Sequence, residues 1–261
     1  MKSLSQLAVK IYGDGADLAG IQELSRHPFI KGFTTNPTLM RKAGVPDYEQ
    51  FAAQVLKLIP DRPVSFEVLA DDAETMESQA RYIAAWSANV YVKIPVTNTR
   101  REPMYALIHR LSQDGIQINV TALLTLEQLR KVAKALRGGA PSNLSIFAGR
   151  IADTGRDPVP VMTEAVAILR ENPQSELIWA SPRELLNIYH AEQSGCHIIT
   201  ATNDVLRKLH LIGKDLSDYS LETVKMFYDD GVKSGYVLEP AKLVAETTGR
   251  ASVAAKKRAA S

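Results

Sequence analysis

Eight short apolar segments, separated by longer amphipathic stretches, set the strongest limit on how this chain can fold. The segments are Val9–Tyr12, Gly32–Thr35, Val64–Leu69, Val90–Ile94, Gln117–Ala122, Leu144–Ala148, Glu176–Ala180 and His197–Ala201. Between them run helical patterns such as Tyr48–Ile59, Ala73–Trp86 and Leu126–Leu136, closed by Pro60, Ala88-Asn89 and Gly138-Gly139. Strands alternating with helices build βαβ units and a parallel sheet, because parallel neighbours need a crossover between them. Eight such units within about 200 residues predict a closed (β/α)8 TIM barrel rather than an open doubly wound sheet. No Gly-x-Gly-x-x-Gly follows a strand, and Gly13-Asp14-Gly15 is too short to mark a dinucleotide site.

After the eighth strand the pattern adds C-terminal helices, through Asp204–Leu211 and then Leu221–Tyr228. Leu221, Val224, Phe227 and Tyr228 share one helical face, which predicts packing against the barrel or, as the alternative, a subunit contact in a homo-oligomer. The expected layout is one barrel domain with its C-terminal helix over residues 1–236, then an extension over 237–261. The last dozen residues, from Arg250 to Ser261, carry little apolar content besides alanine and read as a solvated tail.

Composition excludes several function classes. A length of 261 residues suits one large domain or two small ones, and a net charge of +2 gives no nucleic-acid or membrane footprint. No apolar run approaches the roughly 20 residues that span a bilayer. The first residues, Met1-Lys2-Ser3-Leu4-Ser5-Gln6, lack the apolar core of a secretory signal, so a cytoplasmic protein is expected. The single cysteine, Cys196, leaves no internal disulfide and no cysteine-rich metal site, and reads as a small buried hydrophobe.

Polar residues inside the strands carry the functional information. Lys93 lies within Val90-Tyr91-Val92-Lys93-Ile94-Pro95-Val96-Thr97, a run that otherwise reads as buried. Lysine is almost never fully buried without a partner, and burial disfavours its charged form. A neutral amine is the nucleophile that forms an imine with a ketone or aldehyde. An edge strand with a snorkelling lysine, or a buried ion pair, is the alternative.

Strand parity decides between these readings. Side chains alternate between the lumen and the helices. Val90, Val92 and Ile94 take one parity, so Lys93 takes the other; Asn119 and Thr121 share a parity, as do Ser145 and Phe147. Together with Asp14, Asn36, Glu67, Arg150, Ser181 and Arg183, these residues fall at or just beyond the C-terminal strand ends. That rim is where this fold places its active sites. Carbon–carbon cleavage through an imine needs an amine, a carboxylate that takes a hydroxyl proton, and a path for protons during carbinolamine formation and dehydration. Lys93, Asp14 and the Glu67/Thr121 pair supply those parts. Arg150, Ser181 and Arg183 suit a dianion, since guanidinium forks match phosphate oxygens.

At these residues the sequence resembles the transaldolase family. Gly32-Phe33-Thr34-Thr35-Asn36-Pro37-Thr38-Leu39 is similar to the family's first signature, and Val92-Lys93-Ile94-Pro95-Val96-Thr97 to the segment around its Schiff-base lysine. Asn119-Val120-Thr121, Ser145-Ile146-Phe147 with Arg150, and Ser181-Pro182-Arg183 follow in family order, and the likeness extends to about Leu211. The resemblance implies that Lys93 forms the imine and Asp14 is the general acid/base. It implies that Glu67 and Thr121 hold a water that shuttles protons, and that Asn36, Asn119 and Ser145 hold hydroxyls of a dihydroxyacetone unit. Arg150, Ser181 and Arg183 would take the phosphate, and Phe147 would shape the lumen beside Lys93.

The family also contains aldolases that use free dihydroxyacetone, with glutamine and tyrosine where this chain has Glu67 and Phe147. The resemblance therefore implies a transaldolase of the pentose phosphate pathway acting on sugar phosphates, without cofactor or metal. An aldolase releasing dihydroxyacetone, or a transaldolase-like enzyme of specialised sugar metabolism, is the rival. A non-catalytic sugar-phosphate-binding barrel would need no imine machinery, and nothing beyond Lys93 and the phosphate site suggests pyridoxal phosphate. Two features depart from the family pattern. Glycines flank Asp14, which predicts a wider mouth there, and the segment after Gly213 matches neither the compact nor the long members.

Overall fold

The structure, a computed structural model, describes residues 2–238. Eight parallel strands close into a barrel in chain order, with β1 pairing to both β2 and β8. They are β1 (Lys10–Asp14), β2 (Ile30–Thr34), β3 (Val64–Glu67), β4 (Val90–Pro95), β5 (Ile118–Leu123), β6 (Ser142–Ile146), β7 (Ser175–Trp179) and β8 (Ile198–Thr202). The helices between them are α1 (Leu18–Ser25), α2 (Pro37–Lys42), α3 (Tyr48–Leu58), α4 (Ala73–Ala84), α5 (Tyr105–Gln113), α6 (Leu126–Leu136), α7 (Ala148–Ala152), α8 (Pro158–Leu169) and α9 (Leu186–Gln193). A short α10 (Asn203–Leu206) and a 3-10 turn (Arg207–Leu211) follow β8, where one helix over Asp204–Leu211 was expected. The fold is the expected (β/α)8 barrel.

Local chemistry starts the helices where they are needed. Asp17, Asp47, Asp72 and Asp157 each accept backbone N–H groups at the start of α1, α3, α4 and α8, and Thr125 forms a capping box with Gln128 at α6. Pro37 and Pro158 open α2 and α8, where a missing N–H costs nothing. The outward parity of the strands, including Val92, Ile94, Val120, Leu144, Ile146 and Leu177, is wholly buried against the helices. Burying each such side chain stabilises the fold by about 1.5–3 kcal/mol.

The lumen has its own small apolar floor. Tyr12, Ile178, Ala180 and Ile198 cluster there, with Phe147 packed against them. Gly32 makes room for this floor: a Cβ at that position would lie 2.6 Å from the Tyr12 ring. Gly13 serves packing instead of widening the mouth, since its Cβ would meet Leu24 at 2.8 Å and Phe33 at 3.1 Å. At Gly15, on the other side of Asp14, a Cβ would meet nothing within 4 Å.

By internal contacts the chain divides into one unit over Met1–Ile212 and a second that begins at Gly213. The second unit contains α11 (Leu216–Ser234), capped by Asp215 and ended by Gly235 at a left-handed φ of 68°. Leu221, Val224, Phe227 and Tyr228, the residues of the expected apolar face, all fall within this helix. The expected solvated tail, Arg250 to Ser261, lies outside the described residues.

Candidate active site

All eleven residues singled out from the sequence line one cavity of about 500 Å³ at the C-terminal rim of the barrel. The strands bring them together by register. Glu67 on β3 lies opposite Lys93 on β4, and Lys93 opposite Asn119 on β5. Asp14 ends β1 opposite Thr34 of β2. Sheet spacing thus holds side chains from β1 to β5 a few ångströms apart around one point.

Lys93 is buried, and Nζ is 3.1 Å from Glu67 Oε2 while donating to the Thr35 carbonyl at 2.8 Å. The two charges therefore compensate each other inside the lumen. Glu67 is itself held by its backbone. β3 pairs with β2 only through Val64 and Ser65, so Glu67 lacks a ladder partner on that side. The Tyr48 hydroxyl of α3 fills the gap, accepting from Glu67 N–H and donating to Glu67 C=O, each at 2.8 Å. Tyr48 in turn leans on Phe66 and Trp86, and burial pushes its phenol above the usual range.

Burial pushes the Asp14 carboxyl upward, an effect that nearby Lys93 and a hydrogen bond from Thr34 oppose and that Glu67 reinforces. Thr34 Oγ1 donates to Asp14 Oδ1 at 2.8 Å and lies 2.5 Å from Thr200 Oγ1 of β8. Below them, Ser145 donates to Asn119 Oδ1 at 2.7 Å and Asn119 donates to Ser65 at 3.0 Å. That chain fixes the Asn119 amide by both ends. At the mouth, Asn36 Oδ1 caps α2 by accepting from Leu39 N–H at 3.0 Å.

The opposite flank is cationic and exposed. Arg150, on α7, lies over the Phe147 ring at 5.4 Å, and Arg183 donates to Ser181 Oγ at 3.2 Å. Asp153 grips the Arg183 guanidinium through both carboxylate oxygens, and this pairing holds the Asp153 carboxyl below its usual range. Ser181 has a left-handed φ of 62°, a strained conformation for a residue with a Cβ. Its carbonyl passes so close to Gly149 that a Cβ there would sit 1.5 Å away. Gly149 thus lets the start of α7, with Arg150, approach the loop that carries Ser181 and Arg183.

A profile of the transaldolase/fructose-6-phosphate aldolase family matches residues 11–242. The chain belongs to that family. A probable transaldolase of Dehalococcoides mccartyi is 35% identical over 77% of this chain and 90% of its own length. Probable transaldolases of Streptococcus agalactiae serotype V and Methanococcus maripaludis (strain C7) are 34% and 36% identical, over 85% and 82% of this chain and 98% and 94% of their own lengths. Among solved structures, KGPDC from Streptococcus mutans superposes with a TM-score of 0.51 at 12% identity, over 76% of this chain and 89% of that one. A barrel from Burkholderia cenocepacia J2315 gives 0.55 at 13%, over 78% and 79%. At such identities these two share the fold alone.

Within this transaldolase-family barrel, the cavity also holds residues that sequence reading did not single out. Thr34, Lys42, Thr200 and Thr202 line it, and Tyr48 braces it from outside. Parity was the available signal for Thr34 and Thr200, because both face the lumen beside Asp14. Among the described residues, no group of acidic, histidine and cysteine side chains is arranged to hold a metal ion. No described helix is long and apolar enough to cross a membrane.

Proposed function

We propose that the protein is a transaldolase that carries a dihydroxyacetone unit from a ketose phosphate to an aldose phosphate on Lys93. The single observation that carries this reading is the buried Lys93 amine on β4, 3.1 Å from the Glu67 carboxylate, with half-buried Asp14 lining the same cavity. Lys93 gives up a proton, directly or through water, toward Glu67, and its lone pair attacks the C2 carbonyl of the ketose. Glu67 and Thr121 direct the water that protonates the carbinolamine hydroxyl, which leaves as water to give the imine. Asp14 then takes the C4 hydroxyl proton; the C3–C4 bond breaks, its electron pair flowing into the protonated imine, and an aldehyde phosphate departs. The enamine left on Lys93 attacks an incoming aldehyde, Asp14 returns the proton, and water releases the new ketose.

The remaining residues fit this course. Arg150, Ser181 and Arg183 bind the phosphate, while Asn36, Asn119 and Ser145 bind hydroxyls of the three-carbon unit. Phe147, which has no hydroxyl to protonate the enamine, and Glu67 favour transfer over release. The reading places the protein in the cytoplasmic interconversion of sugar phosphates, in the pentose phosphate pathway, with no added cofactor. Fructose 6-phosphate alone should yield about one equivalent of glyceraldehyde 3-phosphate per site and then stall, as a trapped covalent intermediate requires. Erythrose 4-phosphate should restore steady turnover. Rapid turnover without any acceptor makes the protein a dihydroxyacetone-releasing aldolase instead.

A further inference from the structure

Thr200 takes no part in the chemistry described above, yet its hydroxyl sits at the end of a hydrogen-bonded chain that reaches Asp14. Thr34 Oγ1 is 2.8 Å from Asp14 Oδ1 and 2.5 Å from Thr200 Oγ1. Both threonines are buried, at 2% and 4% exposure, where an unpaired hydroxyl is costly. A hydroxyl has one proton to give. An ionised carboxylate competes for it better than a neutral hydroxyl does. Thr34 therefore donates to Asp14, and Thr200 must donate to Thr34. The three side chains come from the adjacent strands β2, β1 and β8, so the chain is set by sheet register. The charged groups facing Asp14 are Lys93 from β4 and Glu67 from β3, acting in opposite directions. From β2 it accepts the Thr34 hydroxyl, which in turn meets Thr200 of β8.

We propose that Thr200 is a positioning residue for carbon–carbon bond cleavage: by donating to Thr34 it commits the Thr34 proton to Asp14 and keeps that carboxylate ionised and aimed. Hydrogen bonds in series polarise one another, so a donor at Thr200 strengthens the bond that Thr34 makes. The inference rests on the reading of Asp14 as the base in the proposed function.

The experiment is a pH profile of kcat/KM for cleavage of fructose 6-phosphate in the presence of erythrose 4-phosphate. Thr200→Val keeps the shape and removes the hydroxyl. The Thr34 donation then weakens, protonation of Asp14 becomes easier, and the acidic limb moves to higher pH by about half a unit. Thr200→Ser restores the limb. Thr34→Val moves it further, and adding Thr200→Val to Thr34→Val moves it no more, because the effect passes through Thr34. Thr200→Cys, a weak donor, carries the same test if valine destabilises the fold. An unmoved limb in Thr200→Val, an equal displacement in Thr200→Ser, or additive shifts in the double variant would overturn the inference. Borohydride trapping of dihydroxyacetone on Lys93 separates the two layers. Normal trapping with an unmoved limb removes the role of Thr200 alone; no trapping on Lys93 in the wild type removes the imine reading and this inference with it.

Discussion

The two flanks of the cavity are built on different principles. One flank, Asp14, Thr34, Glu67, Lys93 and Thr200, is carried on the strands themselves, and its Lys93, Thr34 and Thr200 side chains are buried. Its distances are fixed by register, at 2.8 Å from Thr34 to Asp14 and 3.1 Å from Lys93 to Glu67. The other flank, Arg150, Ser181 and Arg183, lies after the strands, on α7 and the loop beyond β7, with both arginines exposed. There the backbone supplies the precision, through the left-handed Ser181 packed on Gly149. Proton transfer demands heavy-atom distances near 3 Å, which a sheet can hold. Anion capture tolerates long side chains, which loops can hold. Substitutions on the strand flank should therefore reduce kcat, and substitutions on the loop flank should act on binding of the phosphate.

The largest effect is expected at Lys93. Lys93→Ala should abolish both turnover and borohydride trapping with fructose 6-phosphate, because the other lysine that lines the cavity, Lys42, is exposed at the end of α2 and lacks the buried carboxylate partner of Lys93. Lys93→Arg should fail as completely, since a guanidinium stays protonated and cannot attack a carbonyl. Mass spectrometry of the reduced adduct checks the position. Near-normal activity in either variant, or an adduct elsewhere, would dissolve the distinction between a chemical flank and a binding flank.

Much of this architecture was legible from residue patterns, and the gaps have physical causes. All eight strands were visible because their outward parity is mostly apolar, with Val92 and Ile94 on β4, Ile118 and Val120 on β5 and Leu144 and Ile146 on β6 as the clearest runs. Boundaries moved where lumen residues break that pattern. β2 begins at Ile30, but exposed Lys31 and the side-chain-less, buried Gly32 interrupt the apolar run. β6 begins at Ser142, whose run Ser142-Asn143 reads as a turn by propensity, while Ala148 already belongs to α7. Asp14, Lys93 and Glu67 stood out as charges in apolar surroundings. Thr34 and Thr200 did not, because threonine is an ordinary strand residue and its role here depends on three strands meeting. Tyr48 was read only as the start of a helix, since its contact with Glu67 is made by folding. For α11, periodicity marks an apolar face on Leu221, Val224, Phe227 and Tyr228 but carries no information on what covers it.

Arg183 tests the loop flank with an intermediate effect. A charge-assisted hydrogen bond contributes roughly 1.5–3 kcal/mol, so Arg183→Ala should lower kcat/KM for a phosphorylated ketose by about 10- to 150-fold. Asp153 holds the same guanidinium through both oxygens, so a bound phosphate must share or displace that partner. The loss should appear mainly in KM and shrink with unphosphorylated dihydroxyacetone or fructose. Equal losses for phosphorylated and plain sugars would move the phosphate site elsewhere and leave Arg183 as a structural partner of Asp153.

The smallest effect, and the one that sharpens the comparison most, is expected at Tyr48. Its hydroxyl satisfies both backbone groups of Glu67 but touches no other residue of the site. Tyr48→Phe keeps the ring against Phe66 and Trp86 and leaves a part-buried N–H and C=O unpaired, at a stability cost of about 1–3 kcal/mol. Glu67 should then wander from its 3.1 Å contact with Lys93, and imine formation should slow by less than about tenfold. Because burial holds the phenol protonated well beyond the usual range, the difference between wild type and variant should stay constant from neutral to mildly alkaline pH. Stopped-flow trapping of the imine and the KM for fructose 6-phosphate measure the two flanks in one variant. A slower imine at unchanged KM keeps them separate. A changed KM at unchanged trapping rate would mean that α3 supports phosphate binding, and that the division between strand-held chemistry and loop-held binding does not describe this barrel.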